Sequence, residues 1–392
     1  MDLPTWINKD VLLISFSAFF ADLGYQTAVA IFPIFLVITL GASASEYGIA
    51  SAIAFGVGSF FGYIGGLLSD KYSGKRIAIF GNALIPLISL MALTQSVTIA
   101  VILFSAGWWA RNFRSPARRL MLIAGSPKKH RSKIFGFLHA LDIGGGMISI
   151  LMLLLLLYLG LSYNKILLLT IIPLIISTLL LLPTKDIKRQ SGESKPKSQI
   201  KITKPSTASR NAYYGIIAAT ALYGFSTYSL GFPILTIAQQ TGNSILGIGS
   251  YALYLGVSSI IGYWIGSKNY NKIKALSYLG YILSGLGSLM LGLSYLYGLG
   301  YFASYFAVAI LGFAFGVIET LEPTLISFIK DVKELGKGMG ALSGSRSLGI
   351  FLANLIMGIL YMVNPFYSYL YASIISVVAG MVVLFMGKNF RS

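Results

Sequence analysis

Long apolar runs, interrupted by brief charged turns, dominate the chain. Residues 77 to 110, 211 to 267, 275 to 318 and 347 to 387 contain no charged residue. A helix needs ~20 apolar residues to cross a bilayer, so each of these runs holds two helices joined by a short uncharged turn. Along the whole chain the apolar pattern predicts helices at 11–39, 46–69, 76–93, 98–118, 133–158, 166–182, 211–239, 245–266, 272–293, 300–328, 338–362 and 367–387. The first run is far longer than the apolar part of a signal peptide and reads as a retained first helix. The expected fold is an all-α membrane protein with twelve transmembrane helices.

The turns are unequal in charge. Those at 94–97, 240–244, 294–299 and 363–366 carry none, and on that side of the membrane only Lys165 is basic. Arg346 and Arg111 fall within helices, and the remaining Lys and Arg lie on the opposite side. The positive-inside rule makes that side cytoplasmic, and an even number of spans puts both termini there, in the cell membrane. The formal net charge of +18 is then a topology signal and an attraction to anionic lipid headgroups of the bilayer, with no nucleic-acid partner implied. Cysteine is absent, which excludes disulfides and thiolate metal sites.

The one long polar stretch, 183–210, is rich in Lys, Ser and Pro and too poor in apolar residues to bury a core. It divides the chain into a six-helix half at 1–182, a cytoplasmic linker at 183–210 and a second six-helix half at 211–392. The halves repeat. A shift of 200 residues superposes GVGSFFGYIGG at 56–66 on GVSSIIGYWIG at 256–266, with six of eleven positions identical, and FPI at 32–34 on FPI at 232–234. A shift of 204 pairs Gly136 with Gly340, Leu138 with Leu342 and Gly145 with Gly349. Duplicated six-helix bundles in one orientation are a transporter architecture, with a substrate site expected at the midplane between them.

The turn GLLSDKYSGKR at 66–76 resembles the signature turn between helices 2 and 3 of the major facilitator superfamily, with one extra residue between Asp70 and Gly74. The corresponding turn of the second half, IGSKNYNKIK at 265–274, lacks the acid. The resemblance covers the whole chain: twelve spans, two pseudo-symmetric halves and a basic central linker. It implies that Asp70 caps a helix end of the other half, near Gly336 to Gly340, and latches the halves in the outward-facing state. A carboxylate at a helix N-terminus gains ~0.3 to 1 kcal/mol when exposed. Gly66, Lys71, Gly74, Lys75 and Arg76 complete that turn, with Arg111 or Arg114 as partners for Asp70. A second block, at 111–146, is similar to the helix 4 to helix 5 region of exporter-type members. Ser149 and Ile150 stand where proton antiporters of the superfamily often carry Gly-Pro.

Ionisable residues at mid-helix are costly, ~2.5 to 3.5 kcal/mol on insertion scales, and are functional candidates by default. Asp22 in helix 1, Asp142 in helix 5, Glu319 and Glu322 in helix 10 and Arg346 in helix 11 qualify. Their expected roles are proton coupling or substrate contact, with Arg346 as the internal counter-charge. The structural alternative is a buried Glu322–Arg346 pair that fixes helices 10 and 11. Tyr25, Gln26, Tyr223, Phe225 and Tyr228 are candidate cavity residues, suited to cation-π contact with an organic cation. The expected function is alternating-access transport of a small molecule by a monomer, without a cofactor or a bound metal. Proton-coupled efflux of an amphipathic or cationic compound leads. Uptake of a sugar or organic anion with a proton is the alternative, with metal-cation export behind it. An enzyme or receptor would need a catalytic cluster or a soluble sensory domain, and the sequence offers neither.

Overall fold

The computed structural model describes residues 8–124, 131–186, 207–266, 271–329 and 335–387; within these, the side chains of Asp70 and of 335–343, among others, lie outside the description. Apolar runs form helices because a bilayer offers the backbone no partner, so each N–H and C=O must be satisfied within its own span. Among the described residues twelve long helical segments follow in chain order: α1 Lys9–Thr39, α2 Ala44–Ser69, α3 Gly74–Leu93, α4 Val97–Ala124, α5 Arg131–Tyr158, α6 Tyr163–Leu181, α7 Arg210–Thr241, α8 Ser244–Gly266, α9 Lys272–Leu296, α10 Tyr301–Ile329, α11 Leu335–Val363 and α12 Pro365–Gly387. All but α4 contain a stretch long and apolar enough to cross a membrane. The exception carries Arg111, Arg114, Arg118 and Arg119 in its second half.

Sequence signals set the helix ends. Ser43 and Glu46 form a reciprocal capping box at the start of α2, Ser73 caps α3, and Asn271 caps α9. Gly160 and Gly242, in the turns after α5 and α7, have φ of 79° and 64°, a conformation that only glycine adopts without penalty.

By contact the chain forms two compact units: Met1–Phe32 with Val57–Thr203, and Pro33–Gly56 with Lys204–Ser392. The tip of the α1–α2 hairpin therefore packs with the second unit. Gly48 of α2 lies against the α11 backbone, where an added Cβ would stand 2.6 Å from the Asn354 carbonyl oxygen.

In the first unit, hydroxyls cross between helices. Ser17 of α1 and Ser177 of α6 each donate to the other's carbonyl, at 2.8 and 2.6 Å, and Thr27 meets Ser149 of α5 at 2.7 Å. Small residues admit close backbone approach: a Cβ on Gly65 of α2 would lie 1.9 Å from the Phe113 carbonyl oxygen of α4. The repeat carries its packing with it. Gly145 of α5 abuts the backbone of Phe19 in α1, and its counterpart Gly349 of α11 abuts Gly224 and Phe225 in α7.

The same 204-residue shift relates two ion pairs. Arg118 of α4 bonds Asp142 of α5 at 3.3 Å, and Glu322 of α10 bonds Arg346 of α11. Residue 118 corresponds to 322 and residue 142 to 346, so a bridge at the same place recurs in both units with its polarity reversed. The sequence analysis offered the Glu322–Arg346 pair as a structural alternative; its counterpart at Arg118 escaped it.

Two outcomes are expected from this packing. Replacing Gly65 by Val forces a side chain into the α4 backbone, and thermal unfolding in detergent should show a loss of about 3 kcal/mol. Arg118→Asp or Asp142→Arg alone leaves unpaired buried charge and should cost about 3 kcal/mol or more. The double exchange, which reproduces the polarity of the second unit, should recover most of that loss in the same assay; failure to recover would mean the pair does not hold α4 to α5.

Candidate functional site

In the first unit, α4 presents Arg111, Arg114 and Arg118 at spacings of three and four residues, which places all three on one helix face. Arg111 donates to the Tyr25 hydroxyl of α1 at 3.2 Å and to Asn112 at 3.0 Å. Its guanidinium sits 5.2 Å from the Tyr25 ring centre and 5.1 Å from that of Trp108, close enough for cation-π attraction on two sides. Tyr25 in turn donates its hydroxyl proton to Asp22. A directed chain thus runs from Arg111 through Tyr25 to Asp22. Asp22 is 5% exposed, and its second oxygen is buried with no hydrogen-bond partner.

Arg114, 1% exposed, donates to the Asn82 carbonyl oxygen, and the Asn82 amide donates onward to Ser177 and Thr178 of α6 at 3.0 and 2.8 Å. The Nε groups of Arg111, Arg114 and Arg118, with Nη1 of Arg118, are buried without an acceptor among the described residues. Gln26 lies toward α5, where a Cβ on Gly146 would stand 3.5 Å from its side chain. The structure therefore brings Asp22, Tyr25 and Arg111 together, with Arg114 and Asp142 on the neighbouring turns of α4 and α5.

The second unit holds the opposite balance. Arg346 donates to both Glu319 and Glu322. Glu322 is fully buried and accepts from the Tyr281 hydroxyl of α9, while the side chain of Glu319 is 46% exposed. Tyr223 of α7 lies beside this group, its ring centre 5.9 Å from the Arg346 guanidinium.

The helix of α7 is broken: it runs from Thr207 to Ser226 and resumes at Gly231. Pro233 falls in the first turn of the second segment, where its missing N–H costs nothing. Across the gap, the Ser229 N–H donates to Asn354 of α11 at 2.8 Å, and its hydroxyl meets that of Tyr47 from the α1–α2 hairpin at 2.7 Å. Beside the break, Tyr223, Tyr228, Tyr254 and Phe315 line a small cleft of about 40 Å³, whose polar contribution includes Ser226, Thr227 and Ser284. Phe225 is not among the cleft-lining residues, and its backbone N lies against Gly349. Unwound backbone at such depth is tolerated only where protein or a cavity surrounds it. Sequence reasoning ran α7 through as one helix; the run STYSLGFP, with its Gly and Pro, was the available sign of a break.

At the α2–α3 turn, Lys75 donates to the carbonyls of Leu182 and Thr184, at 2.7 and 2.6 Å, and so caps the C-terminal end of α6. Ser73 donates to both oxygens of Asp186 at 2.8 Å. Gly66 lies near Pro116, and Gly74 packs beside Leu120. Lys71 covers the Tyr72 ring, and Arg76, which donates its N–H to Ser73, is solvent-exposed. The side chain of Asp70 and those near Gly336 to Gly340 fall outside the described residues, while Arg111 and Arg114 are engaged with Tyr25 and Asn82.

The family model of the Major Facilitator Superfamily matches residues 14–329. An uncharacterised MFS-type transporter of Methanocaldococcus jannaschii is 25% identical, with 97% of this chain and 95% of that protein covered. Among solved structures, a D-xylose–proton symporter superposes with a TM-score of 0.76 at 13% identity, covering 99% of this chain and 98% of that one. An inward-facing, occupied bacterial homologue of the human lysosomal transporter Spinster gives 0.76 at 12% identity, with the same coverage. At such identities the structures attest the fold alone. Twelve spans, a duplicated six-helix plan and a family match over most of the length agree: the chain belongs to the major facilitator superfamily of membrane transporters.

Proposed function

We propose that the chain is a proton-coupled secondary transporter of a small organic molecule, with Asp22 as the proton carrier. The observation that carries this reading is the isolation of Asp22. One of its oxygens accepts from Tyr25, and the other is buried with no partner among the described residues. An ionised carboxylate so placed is costly, and taking up a proton removes that cost. Glu322, by contrast, is held by both Arg346 and Tyr281, and Glu319 by Arg346. Asp142 is paired with Arg118. Glu322 and Asp142 thereby serve as counter-charges, Glu319 is the exposed member of its pair, and Asp22 is the buried carboxylate left to exchange a proton.

The aromatic cleft beside the broken α7 supports a substrate with an organic, partly apolar body. The Tyr47–Ser229–Asn354 contact supports a role for the hairpin tip as a gate on α7 that closes and opens in the cycle. Efflux of an amphipathic or cationic compound against proton entry is the direction favoured by the exporter-like block at 111–146. Uptake of a sugar or organic anion together with a proton is the second reading, and a specific contact favours the anion: Arg111 bonds a phenol and an amide, with no direct carboxylate partner among the described residues.

Two outcomes are expected. Proteoliposomes loaded with a pH-sensitive dye should show proton flux when a transported compound from a mixed panel of organic anions, sugars and amphipathic cations is added. Asp22→Asn should abolish that flux while thermal stabilisation by the same compound persists. Normal flux in both Asp22→Asn and Glu319→Gln would replace proton coupling with uniport or another coupling ion. For orientation, cysteines introduced at Ser194 and Ser392 of this cysteine-free chain should resist an impermeant maleimide in intact cells and react after lysis. Labelling of either in intact cells would reverse the topology.

A further inference from the structure

The duplication separates charges that hold helices together from charges with another task. Arg118–Asp142 has a counterpart, Glu322–Arg346, at the same place in the second unit, so both belong to the shared framework. Setting that pair aside leaves, among the described side chains in the interior of the first unit, Asp22, Arg111 and Arg114, two cations against one carboxylate. The partners of the two arginines are neutral: the phenol of Tyr25, the amides of Asn112 and Asn82. Other described acids of this unit are occupied near helix ends, Asp10 by the Lys185 N–H and Asp186 by Ser73. Arg114 is 1% and Arg118 7% exposed, and four guanidinium positions on this face are buried without an acceptor. Among the described residues this surplus cation, with N–H groups unmatched, has no anion set against it, and an apolar bundle makes such an imbalance costly.

We propose that the missing anion is the substrate itself: a small organic anion whose carboxylate or phosphate oxygens bind Arg111, with Arg114 and Arg118 supplying the positive field behind it. This deepens the transport reading above and rests on it. Guanidinium presents its donors in a planar fork that matches an oxyanion, where an ammonium or a spherical ion would gain less. The rings of Tyr25 and Trp108 hold Arg111 in position and so reduce the ordering that binding must impose. Arg111 is the recognition group because it is the most accessible of the three, half-buried where its neighbours are closed off.

The test is binding rather than transport, so its failure is distinguishable from a failure of proton coupling. Purified full-length protein in a neutral detergent, at constant chloride, is titrated with acetate, lactate, succinate and inorganic phosphate, and with xylose and tetramethylammonium for comparison. Melting temperature and tryptophan emission are read together. At least one oxyanion should bind saturably, raise the melting temperature and change the emission, and the emission change should vanish in Trp108→Phe. Arg111→Lys keeps the charge but loses the fork and should bind roughly tenfold more weakly, the equivalent of one charge-assisted hydrogen bond; Arg111→Gln should bind no oxyanion. Asp22→Asn should retain binding even where it stops proton-driven flux. The proposal is overturned if no oxyanion of the panel binds, if xylose or tetramethylammonium binds instead, or if Arg111→Lys binds as wild type. It is equally overturned if phosphatidylglycerol in nanodiscs stabilises the protein and the free anions do not, since the occupant is then a lipid headgroup.

Discussion

An ionised side chain inside an apolar slab has to find its counter-charge within the protein, because lipid supplies none and water is far away. That constraint organises both units. Arg118 reaches across from α4 to Asp142 on α5, and Glu322 reaches from α10 to Arg346 on α11. Each bridge ties neighbouring helices and pairs a charge that would be costly if left alone. The reversed polarity is informative. A duplicated bundle needs a bridge at this place, and either sign satisfies the packing as long as both partners are present.

Much of the fold was legible in the sequence because bilayer thickness converts apolar length directly into helix count. The twelve spans follow from that, and α4 was identified although its four arginines depress its hydropathy. The 204-residue repeat was legible through Gly145 and Gly349, since a backbone contact tolerates no other residue there. It did not reveal Arg118, because a repeat is searched for by identity and the reversed bridge replaces Arg by Glu and Asp by Arg. The break in α7 was hidden by composition: Ser226 to Gly231 is as uncharged as the helix around it, and what unwinds it is tertiary, the grip of Asn354 and Tyr47 on Ser229. Lys75 read as an orientation charge, and its hold on the end of α6 required knowing which helix ends nearby.

The candidate site was legible residue by residue and illegible as a constellation. Intramembrane charge singled out Asp22, Asp142, Glu319, Glu322 and Arg346, and the capacity for cation-π contact in helix 1 brought in Tyr25. What no pattern in one sequence conveys is that Tyr25 stands between Asp22 and Arg111, taking a hydrogen bond from one and giving its own to the other. Spacing along a helix identifies faces, but contacts between helices depend on how those faces are turned.

That arrangement bears on which direction of coupling the first unit favours. Tyr25 has one proton to donate, and an ionised Asp22 takes it, so the negative charge of Asp22 is relayed toward Arg111. Protonation of Asp22 removes that charge and leaves the cation surplus of the α4 face larger by one. If Asp22 carries the proton and Arg111 the substrate, an anion therefore binds better when the proton is present, and by reciprocity the proton binds better when the anion is. Such mutual favouring moves both in the same direction. Exchange of a proton for a cation requires the opposite, a carboxylate for which the two compete, and among the described intramembrane acids Glu319 of the second unit, with a side chain 46% exposed, offers more surface than Asp142 at 26%. The two readings of direction thus rest on different residues in different units, Arg111 for joint movement and Glu319 for exchange.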